Sequence, residues 1–145
     1  YHLGYNARPT EISGFLGVSQ LKHWDEIVKH RARNFKAFYK AVLKNPDFIP
    51  LDVAHMDTVS NFAMPIVAKN KAVFDTYRTR FQDALVEIRP IIAGDITQHP
   101  FYTAHTTKEG VCKNAAYIHQ HGFYFPNNPE LTEKEVAFLT SLLAP

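Results

Sequence analysis

The chain has 145 residues, enough for one compact domain that buries most of its surface around a single core without disulfides or metal. Its 16 lysines and arginines nearly balance its 14 aspartates and glutamates, so the charge gives no reason to expect a nucleic acid or a membrane surface as partner. The single cysteine, Cys112, cannot form an internal disulfide, and no apolar run has the length of a membrane span or the form of a signal peptide. We therefore expect a cytoplasmic domain.

The first predicted element is one long helix over residues 10–44. Pro9 suits the first helical position, and Glu11 suits the positively polarised first turn. Apolar residues then recur at three- and four-residue steps from Ile12 to Val42, until Lys44-Asn45-Pro46 ends the run. A helix of this length is expected to bend or split near its middle.

Two glycines inside this helix need an explanation. Gly14 and Gly17 each cost about 1 kcal/mol relative to alanine in a helix interior. Close backbone approach to another element is the first interpretation. A simple kink at one of the glycines is the alternative.

Strands and shorter helices alternate in the remaining residues, 45–145. Strands are predicted at 48–53, 61–68, 86–92 and 123–125, and Pro65, which lacks a ladder donor, marks the second as an edge or bulged strand. Helices are predicted around 74–84, at 114–120 with Gly122 closing the end, and after the capping box Thr132-x-x-Glu135. The predicted class is α+β, with a long N-terminal helix followed by a mostly antiparallel four-stranded sheet covered by helices.

The segment from Gly94 to Val111 shows no periodicity, and loops of that length in compact domains are usually functional or mobile. Histidines do not make it a metal site, because His99 and His105 have only Asp95 as a nearby carboxylate. His119 and His121, two apart on a helix, point away from each other. The basic segment 29–36 is interpreted as a solvated helix face. No complete catalytic motif is present.

Four stretches together resemble a known family. "GYNARPTEISGFLGVSQLKHWDEIVKHRARNF" is similar to the Gly-Tyr-Asn-x-Arg run of the DegT/DnrJ/EryC1/StrS pyridoxal-phosphate-dependent sugar aminotransferases. The later stretches "SNFAMPIVAKN", "VEIRPIIAGDITQHPFY" and "NAAYIHQHGFYFPNNPELTEKEV" resemble that family's later blocks, in order. The resemblance implies the C-terminal domain of a longer fold-type-I homodimer, in which residues 1–9 are the linker from a large domain that carries the cofactor lysine. It also implies that the long helix packs against that domain near the dimer interface, which predicts an apolar helix surface that is exposed in the chain alone or covered by self-association.

The resemblance also implies a reaction. Pyridoxal phosphate acts as an electron sink while an amino group moves from an amino acid, typically glutamate, to a keto group of a nucleotide-linked sugar. No lysine here occupies the family's catalytic position, and Lys22 and Lys29 fall on predicted exposed helix faces. We therefore expect the chain alone to contain no catalytic residue, to bind no cofactor and to be inactive.

Site residues follow from the same resemblance. Asn6 is expected to reach the cofactor phosphate of the neighbouring subunit, and Arg8 to pair with the same phosphate or with a substrate anion, although both are also suited to a plain turn and helix entry. The expected substrate-binding residues, each of which is also compatible with ordinary surface or packing roles, are Tyr5, Arg89, His99 and Tyr102.

Two other functions stay open. Arg89-Pro90-Ile91-x-x-Gly94 resembles the branch of the family that contains sugar 3-dehydratases, in which histidine replaces the cofactor lysine and water is lost instead of an amine gained. The family's residue that separates these branches is expected upstream of Tyr1. The alternative from another class is an independent α+β binding module for a protein or RNA, which steeply salt-dependent RNA affinity would favour.

Overall fold

The computed structural model describes residues 10–92, 94–106 and 112–145. The chain folds into α1 (Glu11–Leu21), α2 (Trp24–Lys44), β1 (Ala63–Val67), α3 (Lys71–Asp83), β2 (Arg89–Pro90), a 3-10 turn (Ile96–Gln98), α4 (Pro100–His105), α5 (Lys113–His121), β3 (Gly122–Pro126) and α6 (Glu133–Leu142). The predicted α+β class is confirmed. The expected linker, residues 1–9, lies outside the described residues.

The predicted long helix is two helices. Thr10 caps α1 by accepting a hydrogen bond from the Ser13 backbone N–H, so the helix begins at Glu11 and not at Pro9. The helix is interrupted by a turn at Lys22 and His23, where the His23 N–H donates to the Gln20 carbonyl at 2.9 Å. Asp25 and Glu26 then occupy the first turn of α2, where negative charge stabilises a new helix N-terminus.

The sheet has three antiparallel strands in the order β1-β3-β2 among the described residues, not the four that the sequence predicts. Pro65 does lie in an edge strand, opposite Tyr124 of the central strand. The missing strand, predicted at 48–53, is reduced to one bridge between Phe48 and Ala68. The ladder stops there because Pro50 has no N–H to donate, and β2 is likewise limited to Arg89 and Pro90.

The core lies between one face of this sheet and helices α2, α3 and α6. Aromatic rings dominate it: Phe38 meets Phe125 edge-on at 5.1 Å, and Phe81 contacts both Phe123 and Phe125 at 5.5 and 5.2 Å between ring centroids. The predicted capping box of α6 is present, with Thr132 and Glu135 exchanging hydrogen bonds. The core therefore fixes β3 and, through it, the short strand β2.

Helix α1 stands apart from this core and buries none of its residues. Large apolar side chains lie exposed along α1 and at the start of α2, with Phe15 at 75% exposure; they are Ile12, Phe15, Leu16, Val18, Leu21 and Trp24. A Cβ added to Gly14 or Gly17 would meet nothing within 4 Å among the described residues. Among the described residues, the two glycines therefore mark no close contact, and they do not cause the helix break, which comes at Lys22. The predicted exposed apolar surface on this helix is confirmed.

None of the helices among residues 10–92, 94–106 and 112–145 combines the length and the apolar character that crossing a membrane requires.

Candidate functional site

Arg89 lies in β2, opposite Tyr124 of the central strand. Its neighbour Ile88 packs against the core, so Arg89 points outward, as the predicted alternation requires. Glu87 holds the guanidinium: Arg89 Nη2 lies 2.7 Å from Glu87 Oε1, and Nε donates to the same oxygen at 2.8 Å. This hydrogen bond raises the pKa of Arg89 above its already high ordinary value, so the side chain carries a permanent positive charge.

A small cavity of about 180 Å³ opens beside Arg89. Its walls are Phe62, Ala63, Glu87, Arg89, Tyr124 and Pro126. Phe62 and Tyr124 meet edge-on at 5.9 Å, and Phe62 is 58% exposed. An exposed cation beside aromatic rings suits a ligand that has an anionic group and a flat or apolar part. The ion pair with Glu87 is no obstacle, because exposed pairs of this kind contribute about 0–1 kcal/mol.

The turn between β2 and α4 is closed by Asp95. Its carboxylate accepts hydrogen bonds from the Thr97 N–H at 3.1 Å, the Thr97 hydroxyl at 2.7 Å and the Gln98 side-chain amide at 2.8 Å. The bond from the Thr97 hydroxyl and then the bond from Gln98 hold the pKa of this carboxyl below its ordinary value, against the opposing effect of burial. These hydrogen bonds keep Asp95 ionised at neutral pH although the residue is only 3% exposed.

Gly94 fixes the same turn against helix α5. Its φ of +50° is a conformation that side chains with a Cβ rarely adopt, and a Cβ there would lie 2.0 Å from Nδ1 of His119. The imidazole of His119 therefore lies directly on the turn, and its positive charge, when protonated, also lowers the pKa of Asp95. Only glycine satisfies both the backbone and the space.

His99, which precedes α4, and Tyr102, which lies on α4, follow the Asp95 turn. His99 is the residue that ends the 3-10 turn and precedes α4, and its ring lies 5.8 Å from that of Phe101. Both His99 and Tyr102 are half-buried, and neither is among the residues that line the cavity at Arg89. The segment predicted to be an aperiodic loop thus contains two short helical pieces. Asp95 caps the start of the first piece, and Pro100 is the first residue of the second.

The predicted site residues fall into two groups. Arg89 precedes the Asp95 turn and His99 and Tyr102 follow it, whereas the predicted site residues Tyr5, Asn6 and Arg8 lie outside the described residues. Sequence reasoning did not identify Asp95 and His119 as residues that hold this turn. The Asp-x-Thr spacing is a signal for a side chain that caps its own turn, but no local pattern shows that His119 packs on Gly94.

The histidines do not assemble a metal centre in the part of the chain that is described. No three His, Cys, Asp or Glu side chains there come close enough to hold an ion. His121 bonds through Nδ1 to the Tyr117 carbonyl at 2.9 Å, while His119 covers Gly94, so the two point to different partners as the helical spacing predicts.

The model of the DegT/DnrJ/EryC1/StrS aminotransferase family matches residues 1–143. The chain belongs to this family. Among curated relatives, it is 27% identical over 149 residues to the GDP-4-keto-6-deoxy-D-mannose 3-dehydratase of Escherichia coli O55:H7, a match that covers 97% of this chain and 37% of the relative. It is 30% identical over 108 residues to the UDP-4-amino-4,6-dideoxy-N-acetyl-beta-L-altrosamine transaminase of Helicobacter pylori, covering 70% of this chain and 29% of that relative.

Solved structures agree on the fold. The E. coli GDP-4-keto-6-deoxy-D-mannose-3-dehydratase with bound hydrated PLP superposes with a TM-score of 0.75 at 24% identity, over 97% of this chain and 36% of that one. Helicobacter pylori PseC, an aminotransferase involved in the biosynthesis of pseudoaminic acid, superposes with a TM-score of 0.74 at 21% identity. This match covers 99% of this chain and 38% of PseC. The chain therefore spans little more than a third of the length of the family members it matches.

The E. coli dehydratase structure holds pyridoxal phosphate, a cofactor that a lysine binds as a Schiff base in aminotransferases. Every lysine among the described residues is exposed, and Lys71 is paired with Asp75. A cofactor-bearing lysine is normally desolvated in a pocket. The described residues thus do not fit the covalent cofactor site, whereas Arg89 and the adjoining cavity fit an anionic ligand.

Proposed function

We propose that this chain is the C-terminal domain of a cytoplasmic, dimeric, pyridoxal-phosphate-dependent enzyme that modifies a nucleotide-linked sugar. The observation that carries the proposal is the exposed Arg89 guanidinium beside the cavity walled by Phe62 and Tyr124, within a chain whose family is shown over 143 residues. A nucleotide diphosphate provides the anion for Arg89 and a flat base for the rings. The cofactor supplies the electron sink when it is bound by the rest of the enzyme.

Two reactions are candidates. Transfer of an amino group from glutamate to a keto group of the sugar fits the family as a whole and the transaminase relative. Loss of the 3-hydroxyl fits the form Arg89-Pro90-Ile91-x-x-Gly94 and the two 3-dehydratases, 27% and 24% identical, among the relatives. We favour the dehydratase, with a GDP-linked 4-keto-6-deoxy sugar as its substrate, and keep the aminotransferase as the second candidate.

The test uses the enzyme that contains this chain together with its preceding sequence. It is loaded with pyridoxal phosphate, treated with borohydride and mapped by peptide mass, and its products from a GDP-linked 4-keto-6-deoxy sugar and glutamate are analysed. Cofactor that is bound but trapped on no lysine, with a product lacking the 3-hydroxyl, supports the dehydratase. A trapped lysine and a 4-amino sugar support the aminotransferase instead. Enzyme that binds no cofactor, and a chain that binds RNA with steep salt dependence, would contradict both.

Arg89→Ala is expected to raise KM for the nucleotide-linked sugar about 10- to 100-fold, because a hydrogen bond between charged groups contributes about 1.5–3 kcal/mol. The matched control is Arg78→Ala, which removes an exposed arginine on α3 and should leave KM unchanged. Steady-state kinetics at saturating glutamate measure both. Equal KM values for the two variants would show that Arg89 serves only its pair with Glu87.

A further inference from the structure

Asp95 is the single buried carboxylate among the described residues. Burial of a charge is costly unless hydrogen bonds replace the lost water, and here both oxygens are used within a stretch of four residues. A neutral Asn, Ser or Thr would cap a surface turn at lower desolvation cost. The carboxylate therefore does more than begin the 3-10 turn: it draws the Thr97 backbone and the Gln98 side chain onto one point.

The turn lies between the residues that we expect to bind the ligand. It lies in the chain between the strand of Arg89 and the residues His99, which precedes α4, and Tyr102, which lies on α4. Among the described helices and strands, α4 makes its most extensive contact with the adjoining 3-10 turn, so the placement of α4 depends in part on how this turn is held. His119, lying on Gly94, holds the turn against α5 from the other side.

We propose that Asp95 is a positioning residue: it fixes the turn between β2 and α4, and with it the placement of His99 and Tyr102 relative to Arg89, for binding of the nucleotide-linked sugar. This inference rests on the proposed function for its ligand. The fixing of the turn rests on hydrogen bonds that exist without any ligand. The two parts are therefore tested separately.

The first measurement is amide hydrogen exchange in the 145-residue chain without ligand. Asp95→Ala should speed exchange at the Thr97 N–H at least about tenfold, because that N–H loses its acceptor. Asp95→Asn keeps Oδ1 as an acceptor, and the Gln98 amide can turn to accept from the new Nδ2, so exchange should stay within about threefold of the unaltered chain. Asp83→Ala, at an exposed aspartate on α3, is the matched control.

The second measurement is the kinetics of the cofactor-loaded enzyme that contains the chain. Asp95→Ala should raise KM for the nucleotide-linked sugar about tenfold while kcat falls less than about threefold, because a displaced α4 weakens binding without altering the reacting groups. Asp95→Asn should restore most of the affinity. A general loss of folding would instead lower kcat and cofactor loading together.

Faster exchange with a raised KM, both reversed in Asp95→Asn, would support the proposal. Faster exchange with an unchanged KM would overturn it, leaving Asp95 a structural cap, and unchanged exchange would overturn the fixing of the turn. If the unaltered enzyme turned over no nucleotide-linked sugar, the proposed function would fall and with it the ligand named here. Exchange at Thr97 would still decide whether Asp95 fixes the turn.

Discussion

Phe38→Ala should lower the free energy of unfolding by about 3–5 kcal/mol, the usual cost of removing a fully buried phenylalanine side chain. The Phe38 ring is 0% exposed and meets Phe125 of the central strand edge-on. Its loss leaves a cavity between α2 and the sheet, which close-packed neighbours refill only in part. Urea unfolding of the 145-residue chain, followed by circular dichroism, measures the change.

Phe15→Ala is the matched control for Phe38. It removes the same side chain from α1, where the ring is 75% exposed, and should change the stability by less than about 0.5 kcal/mol. If Phe38→Ala does not fold, Phe38→Leu, which leaves a smaller cavity, should still be less stable than Phe15→Ala. Similar losses at both positions would contradict the fold described for α1, because they would mean that α1 packs on the core or on a second copy of the chain.

Gly122→Ala should destabilise the chain by about 1–3 kcal/mol, the typical cost of overpacking a core. A Cβ on Gly122 would lie 2.5 Å from the carbonyl oxygen of Ile118 and 2.8 Å from Cγ1 of Ile91. The first of these is backbone of α5 and cannot turn away as a side chain would. Since Gly122 joins α5 directly to the central strand, relief of the collision must shift one of the two elements.

Gly17→Ala is the control for Gly122→Ala, and urea unfolding of the 145-residue chain measures both. Nothing among the described residues lies within 4 Å of its added Cβ, so the substitution should stabilise α1 by up to about 1 kcal/mol through helix propensity alone. Stabilisation by Gly122→Ala would show that the helix and strand separate freely. Destabilisation by Gly17→Ala in the longer enzyme, but not in this chain, would show that α1 meets another element there.

Elements with strong local signals were predicted well. The capping box at Thr132 and Glu135 marks the start of α6, and the strand predicted at 61–68 contains the edge strand β1. Gly122 was correctly placed at the end of α5. Its φ is −103°, and it is the space beside Ile118, not the backbone angle, that requires glycine.

Elements that depend on a partner strand were predicted less well. Residues 48–53 have the composition of a strand, but only Phe48 forms a bridge, because pairing is interrupted by Pro50. The helix over 10–44 was correctly expected to be interrupted, yet neither glycine is the place. The acidic residues in the first turn of α2 stabilise the N-terminus of a second helix. This is a local signal in the sequence that indicates where the new helix begins.

The motifs of the sequence were enough to predict the fold class and the family of the chain, because caps, periodicity and short motifs are properties of neighbouring residues. The resemblance to the family then marked Arg89, His99 and Tyr102. The roles of these three side chains remain predictions. Tertiary structure alone brought His119 onto Gly94, buried Asp95 and set Phe62 and Tyr124 beside Arg89. These contacts join residues up to 62 positions apart in the chain, such as Phe62 and Tyr124, and depend on how helices and strands pack around one aromatic core.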